Sequence, residues 1–331
     1  MTGPTCCLKC PLKTRHEGNT SVKRLQLITA LLSAIWMAIS MAEVPVSEFG
    51  ADDTLGAVNR LSAAGVLEAV KLVKTGKTYP LGVVTGPDSP AYPPRYYKMT
   101  ILQLDDGVGV PVGKNQLTGN DDLMLTYMGV GSQIDGLGHV GIDHHYYNNT
   151  PAKDFVKVTG LTKFSTSEIP PIVTRGVLLD IARLKGKDML DAGTAINRAE
   201  IDAAAKAQGV SINKGDVVLL HTGWISVSET DGARFMKGEP GLGVDGAKYL
   251  ASLGVVAVGA DTFGVEAIPF ETEGQFFPVH QELLARSGVY LLENMDTRAL
   301  ARDEGWEFLF VLGQPRFAGS VQAIINPVAI R

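Results

Sequence analysis

The sequence predicts a single-domain α/β protein with its ligand site at the carboxyl ends of parallel strands. Two observations set the fold class. The chain has 331 residues, 45% hydrophobic and 20% charged, the composition of an ordinary globular protein with one sizeable core, and it shows no internal repeat or low-complexity linker. Its second half alternates short apolar runs with helical patterns: Asp216-Val-Val-Leu-Leu-His221, Val255-Val-Ala-Val-Gly-Ala-Asp261 and Val289-Tyr-Leu-Leu-Glu293 are separated by helical stretches. That βαβαβ order implies a parallel sheet with right-handed crossovers. A third observation places the site, because the runs end on His221, Asp261 and Glu293, where open α/β sheets bind ligands.

The elements follow in chain order. Lys23 and Arg24 precede an apolar run from Leu25 to Ala42, and Ser40-Met41-Ala42 puts small residues at the minus-three and minus-one positions of a cleavage site. Residues 1–42 therefore read as a signal peptide, which sends the protein to the periplasm or outside the cell, or as a mis-started leader before Met37 or Met41, which leaves it cytoplasmic. The domain proper is residues 43–331. All three cysteines, Cys6, Cys7 and Cys10, lie in the leader, so the domain has neither a disulfide nor a cysteine nucleophile. Ser62 caps a helix carrying Val66, Ala69, Val70 and Val73, with Gly76 at its end. Strands are expected over Thr78 to Gly82 and Tyr96 to Leu104, and a glycine-rich hairpin or loop from Asp106 to Asn120. Asn197 with Glu200 makes a capping box for a helix ending at Gly209. Helices near Val244 to Ser252 and Val279 to Ser287 fill the gaps between the strands. Glu307 to Leu312 and Val321 to Val328 are late strands that extend or cover the sheet.

Charge narrows the partner. The net charge of −5, from 30 basic and 35 acidic residues, lacks the Lys/Arg clustering that phosphate binding requires, so nucleic acid is excluded and a small-molecule substrate expected. Without residues 1–42, which hold five basic residues and one acidic one, 25 basic face 34 acidic residues and the net charge becomes −9. No membrane association remains once the leader is removed. No Gly-x-Ser-x-Gly elbow is present. Gly241-Leu-Gly243-Val-Asp-Gly246 has the spacing of a dinucleotide loop but follows no strand, so it is a loop entering a helix.

The stretch that carries chemistry is Gln133-Ile-Asp135-Gly-Leu-Gly-His139. A carboxylate, an amide oxygen and an imidazole at two- and four-residue intervals in one glycine-rich loop can hold a divalent cation and move a proton. Glu293 emerges from a buried run, where a lone carboxylate is costly, so a metal or an Arg partner is expected for it, with a metal favoured.

These residues resemble the cyclase family that includes bacterial kynurenine formamidases and isatin hydrolases. Its signature, His-x-Gly-Thr-His-x-Asp-x-Pro-x-His, aligns with Gly129-Val-Gly131-Ser132-Gln133-Ile-Asp135-Gly-Leu137-Gly-His139. Gly129 and Gln133 replace histidines, and Leu137 replaces proline. Leu55-Gly-Ala-Val-Asn59, Thr222-Gly-Trp224, Val258-Gly-Ala-Asp261, His280-Gln-Glu-Leu-Leu284 and Leu292-Glu293-Asn294 resemble further family elements in the family's order.

The resemblance implies a swivelling β/β/α fold with a mixed sheet flanked by helices. It also implies a hydrolase of a small aryl or cyclic amide that acts through metal-activated water. Asp135, His280 and Glu293 become metal ligands, Gln133 stands at a ligand position, and His139 becomes the general base and acid. His144, His145, Tyr146, His221, Trp224 and Asp261 are expected to line the substrate pocket. Losing two imidazoles leaves mostly oxygen donors and one metal ion, Mn2+ or Zn2+ with Mg2+ admissible. Asp143, His144, His145, His221 or Gln275 could replace the missing ligand. The alternatives are a lactone hydrolase of the trans-dienelactone type and a degenerate family member that binds a small molecule without turnover. A homodimer or homotetramer is expected from the resemblance alone.

Overall fold

The computed structural model describes Gly3 and residues 43–103 and 110–331; the leader readings lie outside these residues. Val44–Arg331 forms one compact unit around a nine-stranded sheet. In chain order the strands are β1 (Thr78–Pro80), β2 (Gln133–Asp135), β3 (Ile172–Asp180), β4 (Val217–His221), β5 (Ala257–Ala260), β6 (Tyr290–Glu293), β7 (Glu307–Leu312), β8 (Gln322–Ile324) and β9 (Val328–Ile330). Their spatial order is β1-β9-β7-β3-β4-β5-β6-β2-β8.

Strands β3, β4, β5 and β6 run parallel, and antiparallel strands extend the sheet on both sides. Val217–Leu220 and Ala257–Ala260 are fully buried, as expected for strands covered on both faces. Helix α1 (Ala63–Val70) packs on β3 and β7, α2 (Arg198–Gln208) on β3, and α3 (Val244–Ser252) on α2 and the segment Gln281–Arg286. Two expected caps are present: Ser62 Oγ accepts from the Gly65 backbone N–H at 3.0 Å, and Glu200 from that of Asn197 at 3.1 Å.

Four expectations are corrected. Helix α1 ends at Val70, before Gly76. Pro278–His280 begins as an α-turn but continues as a π-helix over Gln281–Arg286. The central β3, nine residues long, is not among the elements expected from sequence. Val321 to Val328 is not one strand but β8 and β9, divided by Asn326-Pro327, since Pro327 cannot donate to a ladder.

The split between β8 and β9 fixes the shape of the sheet. The two strands stand seven inter-strand steps apart in the order, about 33 Å across a flat sheet. Four Cα steps, Ile324 to Val328, reach about 14 Å at most. The sheet therefore curls until its edges approach. Leu81 and Gly82 seal the seam: the Leu81 N–H donates to Pro327 O, the Asp296 N–H donates to Leu81 O, and Gly82 bridges to Met295. A Cβ at Gly82 would lie 2.8 Å from Ile325 O, so only glycine fits there.

Outside the sheet, Tyr97–Gln103 pairs antiparallel with Asn120–Thr126 in a two-stranded hairpin. Residues 104–109, part of the stretch expected as a glycine-rich hairpin or loop from Asp106 to Asn120, lie outside the described set, and Asn120 itself begins the second strand.

Candidate metal centre

Register brings the polar side chains together. Glu293 on β6 pairs with Gln133 on β2, and Asp135 lies between Leu291 on β6 and Gln322 on β8. Side chains alternate along a strand and directly paired residues share a face. Gln133, Asp135, Glu293 and Gln322 therefore project from one face, while Ile134 and Leu292 enter the core on the other. The segment expected as a loop is thus, for its first three residues, a fully buried strand, and its partners come from far along the chain.

His280 joins from the helical turn Pro278–His280. Its Nδ1 lies 2.6 Å from Glu266 Oε1, and Glu266 also accepts from the backbone N–H groups of Val279 and His280. The carboxylate assigns Nδ1 as the protonated nitrogen and turns Nε2 toward Glu293 Oε1 at 3.2 Å and Asp135 Oδ2 at 3.6 Å. Glu266 follows Val265, a β-branched residue at φ 61°. That conformation is strained, and it persists where the surroundings fix it.

His139 approaches Asp135 Oδ2 from the other side, at 3.7 Å, with its side chain 23% exposed and the Asp135 side chain at 0%. Burial would raise Asp135, but the charge of His139 and the nearby His280 imidazole bring it down to about 2. Burial lowers His139, opposed by Asp135, which favours a neutral imidazole able to accept a proton. Burial and the Asp135 charge push Glu293 up to about 7 against the pull of His280. Burial would lower His280, yet the surrounding carboxylates of Asp135, Glu266 and Glu293 hold it well above its ordinary value.

The residues fit a divalent cation. Ligand atoms of Asp135, His280 and Glu293 lie within 4.8 Å of one another, all buried. Asp135 Oδ2 and Gln133 Oε1 are buried without a hydrogen-bond partner, and buried polar atoms in that state call for a ligand. Two facing carboxylates raise the pKa of one of them, a cost that a shared cation removes. Gln133 itself donates from Nε2 to Glu293 Oε2, so in this arrangement it orients Glu293 while its oxygen stays unpaired.

The remaining expected residues lie apart from this group. His144 is exposed, His145 Nδ1 contacts Asp143 O at 2.9 Å, and Tyr146 packs edge-on against Phe155 at 5.2 Å. Gln275 is exposed. His221, Asp261 and Trp224 form a separate network: Asp261 accepts from Thr222 and Gly223, and His221 Nδ1 lies 2.7 Å from Thr297 Oγ1. Trp224 is buried under Arg234. None of these residues replaces a ligand at Gly129. A cavity of about 440 Å³ is lined by His221 and one of about 660 Å³ by Gly131 and Asn294. Neither is lined by Asp135, whose group is tightly packed.

Three contributors carry no local sequence signal. Glu266 orients His280, Gln322 Nε2 donates to Asp135 Oδ1 at 2.7 Å, and Arg95 Nη1 donates to Gly129 O at 3.0 Å. Each is placed by tertiary contact. The polar Gln322 within an otherwise apolar late strand was the one available hint.

Residues 78–267 match the model of the Cyclase family, described as Putative cyclase. The chain belongs to that family. Among solved structures, this cyclase-family chain is similar to a crystal structure of a novel cyclase at 28% identity and a TM-score of 0.79, covering 86% of this chain and 96% of the other. Two more distant likenesses show the shared fold. One is isatin hydrolase A from Ralstonia solanacearum (16% identity, TM-score 0.59, 77% and 92% covered). The other is a predicted metal-dependent hydrolase from Bacillus stearothermophilus (20%, 0.51, 76% and 97%). No curated protein matches the chain.

Proposed function

We propose that this protein is a metal-dependent hydrolase of a small aryl or cyclic amide, of the arylformamidase or isatin-hydrolase type. The observation that carries the reading is the buried Asp135–His280–Glu293 group, whose ligand atoms lie within 4.8 Å beside the unpartnered Asp135 Oδ2 and Gln133 Oε1. Asp135, His280 and Glu293 would hold the ion, with Gln133 beside them. Oxygen donors outnumber nitrogen, which suits Mn2+ or Mg2+ and admits Zn2+. A divalent ion bound there supplies Lewis acidity and lowers the pKa of a coordinated water.

The chain's own residues do the rest. Glu266 keeps the His280 Nδ1 proton in place, so that Nε2 presents a lone pair. His139, neutral and open to solvent on one edge, takes a proton from the attacking water and delivers it to the departing nitrogen. The water oxygen bonds to the carbonyl carbon, the C–N bond breaks, and an acid and an amine result.

Metal analysis tests the first part of the reading. Assays on formanilide, isatin and an unsaturated lactone, with and without chelator, test the rest. Chelation and Asp135→Ala are each expected to abolish hydrolysis; full activity after both overturns the mechanism, and preference for the lactone moves the activity to the dienelactone type. The missing histidine at Gly129 motivates the second reading, ligand binding without turnover, which a tightly held ligand with no metal and no hydrolysis would support.

A further inference from the structure

We infer that Arg95 is a subsite for a carboxylate, and that the compound taken at the Asp135 group is an acid, an acylamino-aryl or ring-closed amide bearing a free carboxylate. The inference deepens the hydrolase reading and rests on it for the reaction, but not for the binding.

Position 129 is the starting point. A Cβ built there would lie 2.6 Å from Arg95 Nη1 and 2.8 Å from Cζ, closer than any real side chain approaches. The glycine is therefore what admits the guanidinium. The same point lies 3.2 Å from Gln322 Oε1, and the far end of that amide donates to Asp135 Oδ1 at 2.7 Å. One glutamine side chain thus separates the guanidinium from the candidate metal ligands.

The guanidinium has donors to spare. Of its five N–H groups, one is used on Gly129 O, and among the described residues no carboxylate lies within ion-pair distance of it. Arginine matches carboxylates in two parallel hydrogen bonds, a geometry that one backbone carbonyl leaves unspent. The Arg95 backbone is fixed by its N–H bond to Tyr92 O at 2.8 Å, and the Tyr92 ring meets Phe263 edge-on at 5.1 Å.

A purely structural role, holding the Gly129 carbonyl, predicts something different, because its loss would affect every substrate alike. The test compares kcat/KM for 2-formamidobenzoate and for formanilide, which differ by one carboxylate, in the wild type, Arg95→Gln and Arg95→Lys. The acid-to-neutral ratio is expected to fall about 10- to 100-fold in Arg95→Gln, the usual worth of a charge-assisted hydrogen bond, and to recover in part in Arg95→Lys. An unchanged ratio overturns the inference.

Titration with benzoate and benzamide, followed by NMR, needs no turnover. If neither formamide is hydrolysed, the hydrolase reading fails, while benzoate binding that Arg95→Gln removes still upholds the subsite. If Arg95→Gln does not fold, the wild-type comparison decides, since equal affinity for benzoate and benzamide rejects a carboxylate subsite.

Discussion

Two histidine–carboxylate clusters sit at strand ends of the same sheet, and they differ in how completely their hydrogen bonds are met. Around Asp261, Oδ1 accepts from the Thr222 N–H and hydroxyl and Oδ2 from the Gly223 N–H, while His221 Nδ1 engages Thr297 Oγ1. Around Asp135, Oδ2 has imidazole nitrogens at 3.6 and 3.7 Å and no hydrogen bond. The residue types are alike and both are buried. What separates the two is unmet bonding capacity at the carboxylate: both oxygens of Asp261 accept hydrogen bonds, whereas Asp135 Oδ2 still has capacity to offer.

Mutations can break that contrast. The largest effect is expected from Asp135→Ala, which should remove metal from the purified protein and lower hydrolysis at least about 10³-fold, on the scale of losing a metal's charge stabilisation. Asp261→Ala should do the opposite, costing about 3 kcal/mol in denaturant unfolding as a buried network is broken, with metal content per folded molecule retained. Metal loss in a folded Asp261→Ala protein would erase the distinction between the two clusters.

Next in size is His139→Ala, expected to keep its metal and lose about 10²- to 10⁴-fold in kcat, the worth of a positioned proton-transfer group. If the metal content collapses instead, His139 is a ligand. Glu266→Gln should weaken metal affinity about 10- to 100-fold, as expected when the partner of a ligating histidine is lost; competition with a coloured chelator measures it. The smallest effect belongs to Thr297→Val, about 1 kcal/mol of stability for one hydrogen bond, with metal affinity unmoved.

The sequence was legible where structure is local. The strands ending at His221 and Glu293, with Asp261 one residue beyond its own, were readable from apolar runs between helical patterns, and Asn197 with Glu200 marked the start of α2. The parts that were not legible share a physical reason. Gln133–Asp135 is too short and too glycine-flanked to show a period of two, and it is a strand only because β6 and β8 pair with it. In β3, Arg175 and Gly176 interrupt the apolar run. Glu266 and Arg95 lie in irregular segments whose positions depend on distant contacts. At the site, spacing picked out Asp135 and His139, the buried run before it singled out Glu293, and family likeness supplied His280. None of these could reveal that the guanidinium of Arg95 takes the space that Gly129 leaves.

The placing of β2 has a consequence for how the protein is made. Asp135 is gripped between Leu291 and Gln322, pairings that close loops of more than 150 residues and form slowly. A nascent chain emerging from the ribosome exposes Gln133, Asp135 and His139 early, yet cannot assemble the candidate metal centre until β6 and β8 have been synthesised. Under the proposed function, metal capture waits for the nearly complete molecule, and a bound ion would report that the last strands have docked.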